Sequence, residues 1–331
     1  MKRTLALCLT LLLLTGCGAA QPNKETKTVY AMDTVMTLTA YGEEALTADA
    51  LEEGERQIRR LDALLSTTLE TSDICRVNRD KTAAVSQETG LLLQRALEIA
   101  AMTDGDYDPT VYPLMEAWGF RSGEYHIPAQ AELTALLSRV GYAQVHIEDE
   151  VSLPEGCGID LGGIAKGYTA EQVLSAMADK GVESAIISLG GNVGTLGLKP
   201  DGSQWTVAVE NPDKGGDYLG TISLGAGYYA ITSGAYERYF EQDGVRYHHI
   251  LDPKTGCPAE SGLESVTIVS QDGTLADALS TALFVKGVDE AVEFWRAHRT
   301  EFDMVLYDGE TLYVTPGLAL DTSLPVEEVT P

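Results

Sequence analysis

The sequence predicts a mixed α+β protein, a single two-lobed unit in which a mixed β-sheet is flanked by helices. Three observations carry this. In the first part of the chain, apolar residues recur at helical spacing, with Leu51, Ile58, Leu61 and Leu65 on one face. After Asp160 the texture changes to short β-rich runs punctuated by Gly, Asn and Pro. No Pro/Ser-rich linker, low-complexity run or fixed-period repeat divides the chain, although the stretch from Val29 onward exceeds one typical domain length.

Taken in order, the first segment is a leader. Residues 1–17 read MKRTLALCLTLLLLTGC: two basic residues, then an apolar run too short to span a bilayer, then small residues before Cys17. The stretch Leu14-Thr15-Gly16-Cys17 resembles a bacterial lipobox, which implies a signal peptide over 1–16 and lipidation of Cys17. An ordinary signal peptide with an incidental cysteine is the alternative. Residues 17–28 are then expected to be a polar tether to the outward face of the cell membrane. Loss of residues 1–16 removes Lys2, Arg3 and no acid, so the formal charge moves from −27 to −29. So acidic a chain repels nucleic-acid phosphates and anionic headgroups, which leaves the lipid as the membrane attachment.

From residue 29 to 320 we expect one folded unit. It starts with a strand near 35–41, a helix over 43–65 and another over 88–102 that stops before Gly105. A helix follows the glycine turn at 164–180. Strands are expected near 184–189, 204–209, 219–224, 228–232, 246–251 and 265–269. Helices near 275–284 and 288–297 and strands near 304–307 and 311–314 complete the unit. The tail, residues 321–331 with SLPVEEVTP, is expected to be disordered. Cys75, Cys157 and Cys257 are odd in number and lack metal-ligand spacing, so no disulfide framework is expected.

Chemistry concentrates in a few short segments. In DLGGIAKGY, 160–168, Gly162 and Gly163 let backbone approach a ligand closely, and the following helix aims its free N–H groups and positive dipole end at the same place. Lys166 adds a point charge. The segment matches neither a P-loop nor a Rossmann fingerprint, and a tight strand-to-helix turn without phosphate reads the same way. Asp277 and Thr281 in ADALSTALF lie four apart, on one helix face, an oxygen pair suited to Mg²⁺. A capping aspartate and a back-bonding threonine have the same appearance. His248 and His249 end a β-like run before the Asp252-Pro253 turn and point to opposite faces, so one of them can serve as a proton shuttle. Asp106, Tyr107 and Asp108 form an acidic turn without EF-hand spacing. The clusters SLGGN at 188–192 and TSGAY at 232–236 bring main-chain donors to strand ends, as hairpin turns also would.

The order of these segments is informative. AMDTVMTL, GDYDPTVYPL, DLGGIAKGY, SLGGN, TSGAYERYF, HHILDPKTG and DALSTALF closely resemble the FAD:protein FMN transferases, the ApbE lipoprotein family, over residues 30–307. The resemblance implies that FAD is cleaved at its pyrophosphate, FMN passes to a Thr or Ser hydroxyl of a target protein, and AMP leaves. Acceptors in the family are flavin-carrying subunits of membrane redox complexes of the Nqr and Rnf types. By motif position, Mg²⁺ would bind Asp277, Thr281 and the main-chain carbonyl of Gly163. FAD would be held by Asp160, Lys166, Met32, the Asp106, Tyr107 and Asp108 turn, and the backbone around Ile250. His249 would take the hydroxyl proton or position the flavin phosphate, with Asp277 as the second catalytic residue. Two departures stand out: Thr68 where the family often has an aromatic residue, and Asp33 where glycine is usual. Competing outcomes are a Mg²⁺-dependent FAD pyrophosphatase, a non-catalytic FAD-binding lipoprotein and a solute-binding lipoprotein.

Overall fold

The computed structural model describes residues 23–213 and 217–331; the leader and Cys17 lie outside them. The chain opens with β1 (Asn23–Ala31), which pairs along its whole length with β2 (Thr34–Gly42). Met32 and Asp33 form the turn at φ 48° and 58°. Positive φ at both positions is the type I′ geometry that matches strand twist, and aspartate tolerates it better than most residues. The tether expected over 17–28 is corrected here, because Asn23–Lys27 already lie in this strand. Charge misled the reading: Lys24, Glu25 and Lys27 suit the edge of a sheet, and Lys27 bridges to Glu52 and Glu55 of the next helix.

That helix, α1 (Glu44–Leu65), buries Thr47, Ala50, Gly54, Ile58, Leu61 and Leu65 at 3–4-residue spacing, with Leu51 beside them. It is followed by α2 (Asp73–Asp80), β3 (Thr82–Ala83), α3 (Gln87–Met102), α4 (Tyr112–Ala117), α5 (Gln130–Leu137), β4 (His146–Ile147), β5 (Val151–Ser152) and α6 (Ala165–Asp179). The β-rich half contains β6 (Ser184–Leu189), β7 (Asn192–Leu196), β8 (Trp205–Glu210), β9 (Tyr218–Leu224), β10 (Tyr229–Gly234), β11 (Tyr239–Gln242) and β12 (Val245–His248). Then come β13 (Ser265–Ser270), α7 (Gly273–His298), β14 (Asp303–Tyr307), β15 (Leu312–Val314), β16 (Leu320–Asp321) and β17 (Val326–Glu328). The two helices expected over 275–297 are one run broken at Gly287, where φ is 77°. The strand expected over 246–251 is the second arm of a β11–β12 hairpin.

Nine strands form the main sheet in the order β1-β2-β6-β7-β10-β13-β14-β15-β17. All neighbours are antiparallel except β15 and β17, which run parallel. Residues 326–328 therefore add the last strand, and the expectation of a disordered tail over 321–331 is corrected: Val326 pairs with Leu312 and Val329 is buried.

The strand period of two assigns each face. Ile231, Val266, Ile268, Met304 and Leu306 point into the larger core beneath the helices. Their alternates Ala230, Val269, Val305 and Tyr307 face the other way, against Trp205, Val207, Leu219 and Ile222 of the small β8-β9-β16 sheet. The result is three layers, helices over sheet over sheet. A separate apolar cluster of Leu114, Trp118, Phe120, Leu133, Phe240 and Leu251 packs α4, α5 and the β11–β12 hairpin beside them. The three described cysteines are free, and no helix among the described residues is long and apolar enough to cross a membrane.

Candidate active site

A cavity of about 590 Å³ opens where the start of α6, the first turns of α7, the β1–β2 turn and the 249–253 segment converge. Every residue assigned above to FAD or Mg²⁺, and His249 with them, lines it. Residues from 32 to 281 are brought together because α6 and α7 cross at glycines. A Cβ on Gly167 would stand 2.1 Å from the Gly273 carbonyl oxygen and 2.7 Å from the Asp277 Cβ.

This crossing also caps a helix. The Gly167 N–H is one of the donors in the first turn of α6 that have no partner within the helix. It donates to Asp277 Oδ2 at 2.7 Å, and the Gly163 carbonyl, which precedes the helix, accepts no hydrogen bond among the described residues. Asp277 is 3 % exposed, so its carboxylate is held in place with Oδ1 still available. Thr281 lies one turn on; its Oγ1 is 3.5 Å from Ser233 Oγ and would be 3.4 Å from a Cβ on Gly163. The buried Tyr107 ring packs beside the same glycine, its Cε2 3.2 Å from where that Cβ would stand, and its hydroxyl has no hydrogen-bond partner. Burial drives this phenol well above its usual range, and Asp277, Asp108 and Asp160 push the same way.

These atoms fit Mg²⁺. A carboxylate, a hydroxyl and an unbonded carbonyl are hard oxygen donors lining one cavity, and an unpartnered buried hydroxyl stands beside them. Among the described residues no three His, Cys, Asp or Glu side chains group to hold a metal, so the set does not suit ions that need nitrogen or sulfur ligands.

Opposite this cluster, His249 reaches the cavity from the end of β12. Its backbone N–H and its Nδ1 both meet the Arg238 carbonyl, at 3.0 and 3.1 Å. A carbonyl only accepts, so Nδ1 carries the proton and Nε2 presents a lone pair. The ring is half-buried by surface area yet deep in the cavity. Burial first, then Arg238 and Lys166, pull its pKa down to about 3, and it is neutral at physiological pH. His248 points into the core, as period two requires. Its Nε2 donates to the Ala259 carbonyl at 3.1 Å, and its ring meets Phe284 edge-on.

The remaining predicted residues divide into two kinds. Lys166 stands on the first turn of α6 and faces the cavity; Asp160 Oδ1 accepts the Gly162 N–H at 2.7 Å and shapes the turn. In the 106–108 turn the carboxylates are occupied. Asp106 is gripped by Lys254 at 2.7 Å and by Lys286. Asp108 accepts from the Thr110 N–H and hydroxyl and from the Tyr142 N–H, at 2.8, 2.6 and 2.8 Å. The acidic turn is thus a brace, and Tyr107 is its cavity group. The Ile250 carbonyl is taken by the Ala259 N–H at 2.9 Å. Met32 Sδ lies 3.8 Å from Thr169 Oγ1.

Asp62, Ser233 and Arg121 are among the cavity residues not singled out from the sequence. Asp62 accepts the Met32 N–H and so supports the β1–β2 turn. Ser233 lay in a recognised glycine cluster, TSGAY, and its hydroxyl could have been noted. Arg121 carried only the signal of a lone cation after an aromatic run, WGF.

The profile of the ApbE family matches residues 32–306. The chain is 33 % identical over 267 residues to a Treponema pallidum FAD:protein FMN transferase, covering 75 % of this chain and 74 % of that one. It is 31 % identical over 325 residues to its Salmonella typhimurium counterpart, covering 92 % and 93 %. The crystal structure of the ApbE protein of Thermotoga maritima superposes with a TM-score of 0.81 at 34 % identity, over 91 % of this chain and 97 % of that one. The flavin transferase ApbE of Vibrio cholerae gives 0.77 at 28 %, over 86 % and 93 %. Sequence and fold agree over nearly the whole described chain, and the protein belongs to the ApbE family.

Proposed function

We propose that the protein is a Mg²⁺-dependent FAD:protein FMN transferase that moves FMN from FAD to a Thr or Ser hydroxyl of a flavin-acceptor protein and releases AMP. The observation that carries this is the convergence of Asp277, Thr281 and the unbonded Gly163 carbonyl with the start of α6 in a single cavity. Bound there, Mg²⁺ supplies charge neutralisation at the pyrophosphate. The chain's own groups do the rest. The α6 N-terminus and Lys166 stabilise phosphate oxygens, and the occupied carboxylates of Asp106 and Asp108 keep the turn behind Tyr107 rigid.

His249 accepts the incoming hydroxyl's proton at Nε2, while the Arg238 carbonyl fixes its tautomer. Burial above all, then Arg238 and Lys166, keep Nε2 unprotonated and able to take that proton. The lipobox extends the proposal: lipidated Cys17 holds the enzyme on the outward face of the membrane, beside acceptor subunits of Nqr- or Rnf-type redox complexes.

The test is incubation with FAD, Mg²⁺ and a flavin-acceptor domain, followed by fluorescence on a denaturing gel. Covalent flavin on the acceptor is expected. Free FMN without labelled acceptor would make the protein a pyrophosphatase, and unchanged FAD would make it a binder.

A further inference from the structure

Arg121 is built into the cavity wall more firmly than a surface arginine needs to be. Its Nε donates to Thr67 Oγ1 at 3.3 Å, its Nη2 to the Thr67 carbonyl at 2.5 Å and its Nη1 to Glu116 Oε1 at 2.6 Å. These bonds hold the guanidinium by its edges. One face lies over the Tyr112 ring, with Cζ 4.1 Å from the centroid. Tyr112 is itself pressed against backbone, since a Cβ on Gly158 would stand 2.5 Å from its Cδ1. Tyr112 thus has the guanidinium over its ring and the backbone at Gly158 against its edge atoms Cδ1 and Cγ. The side chain is 15 % exposed and lines the cavity, as do Thr67 and Thr68 beside it, which carry no ring.

We infer that the uncovered face of the Arg121 guanidinium is the platform on which one aromatic ring of the bound dinucleotide stacks, which makes Arg121 a specificity-determining residue. A planar, delocalised cation suits this role, and edges already bonded lose little freedom when a ring lands on the face. Glu116 tempers its charge, so the contact favours a flat π-system over another phosphate. The inference rests on the reading of this cavity as an FAD site. The ring is adenine or isoalloxazine, and fragments distinguish them.

The experiment uses the full chain and measures FAD affinity by flavin-fluorescence quenching, with AMP and FMN as competitors. Arg121→Lys keeps the charge and removes the plane, and is expected to weaken FAD about tenfold. The loss should appear with AMP or with FMN, not both, and name the stacked ring. Tyr112→Leu removes the backing layer and should weaken the same fragment. Affinity for FAD in Arg121→Lys within about twofold of wild type would reduce Arg121 to a charge and overturn the inference. Equal loss of both fragments would overturn it as well. Should Arg121→Lys not fold, Tyr112→Leu decides, and undiminished FAD affinity there counts against the platform. Wild-type protein that binds no FAD would remove the FAD site and the platform together.

Discussion

Replacing Gly167 by alanine probes the crossing on which the site depends. The added Cβ would sit 2.1 Å from the Gly273 carbonyl oxygen and 2.7 Å from the Asp277 Cβ. Neither neighbour is the flexible end of a side chain, so α6 and α7 must separate. Separation stretches the Gly167 N–H bond to Asp277 Oδ2, now 2.7 Å. Overpacking of this kind costs about 1–3 kcal/mol, and loss of a hydrogen bond to a charged group about 1.5–3 kcal/mol. A combined loss near 3 kcal/mol lowers Tm by roughly 6–12 °C. The control is Gly90→Ala in α3, where the nearest atom is Val85 Cγ2 at 3.8 Å. Relief of unfolded-chain entropy there should stabilise by about 0.5–1 kcal/mol. The assay is thermal melting of both variants, with turnover measured on the folded protein. A Gly167→Ala protein with wild-type Tm and turnover would refute the argument that this contact sets the Asp277 carboxylate.

Three further outcomes follow from the geometry. His249→Gln should lose about 10²–10⁴-fold in turnover, and because burial holds the wild-type imidazole down to about 3, it should put no acid limb on the wild-type kcat/KM profile above pH 5; a His249→Gln protein with wild-type turnover assigns the proton to another group. Lys286→Met leaves the buried Asp106 with Lys254 alone, and melting should report a loss of about 2 kcal/mol, below the cost of stripping both partners; an unchanged Tm would show that the brace is not needed. Burial lowers the pKa of His248, so it stays neutral in the fold while the unfolded chain takes up a proton below pH 6.5. Its contribution to stability therefore falls as pH drops from 6.5, and urea midpoints of His248→Phe should decline less steeply than wild type from pH 6.5 to 5. An equal slope would contradict that assignment.

What could be read from sequence was what is local. Asp277 and Thr281 are four apart, and DLGGIAKGY has its glycines, lysine and helix start within nine residues, so their shared face follows from helix geometry alone. The helices 43–65 and 88–102 were legible because their apolar spacing is regular. β1 was hidden by its charges, and β17 by a Glu-rich sequence whose pairing with the nearby β15 is parallel and announced by no hairpin turn. The occupied carboxylates of Asp106 and Asp108 were also out of reach, since Lys286 and Tyr142 are distant in sequence. The same holds for the Gly167 N–H: nothing near residue 167 announces that residue 277 will take its hydrogen bond.

The central claim is that Asp277, Thr281 and the Gly163 carbonyl hold the catalytic divalent ion. The most direct measurement is an electron paramagnetic resonance titration with Mn²⁺ standing in for Mg²⁺, in the presence of FAD, on wild type and Asp277→Asn. The asparagine keeps an oxygen for the Gly167 N–H, so the fold and Tm should be retained. The account predicts a single tight Mn²⁺ site in wild type, displaced by Mg²⁺, that is lost in Asp277→Asn together with turnover. Tight Mn²⁺ binding that persists in a folded Asp277→Asn protein would contradict it.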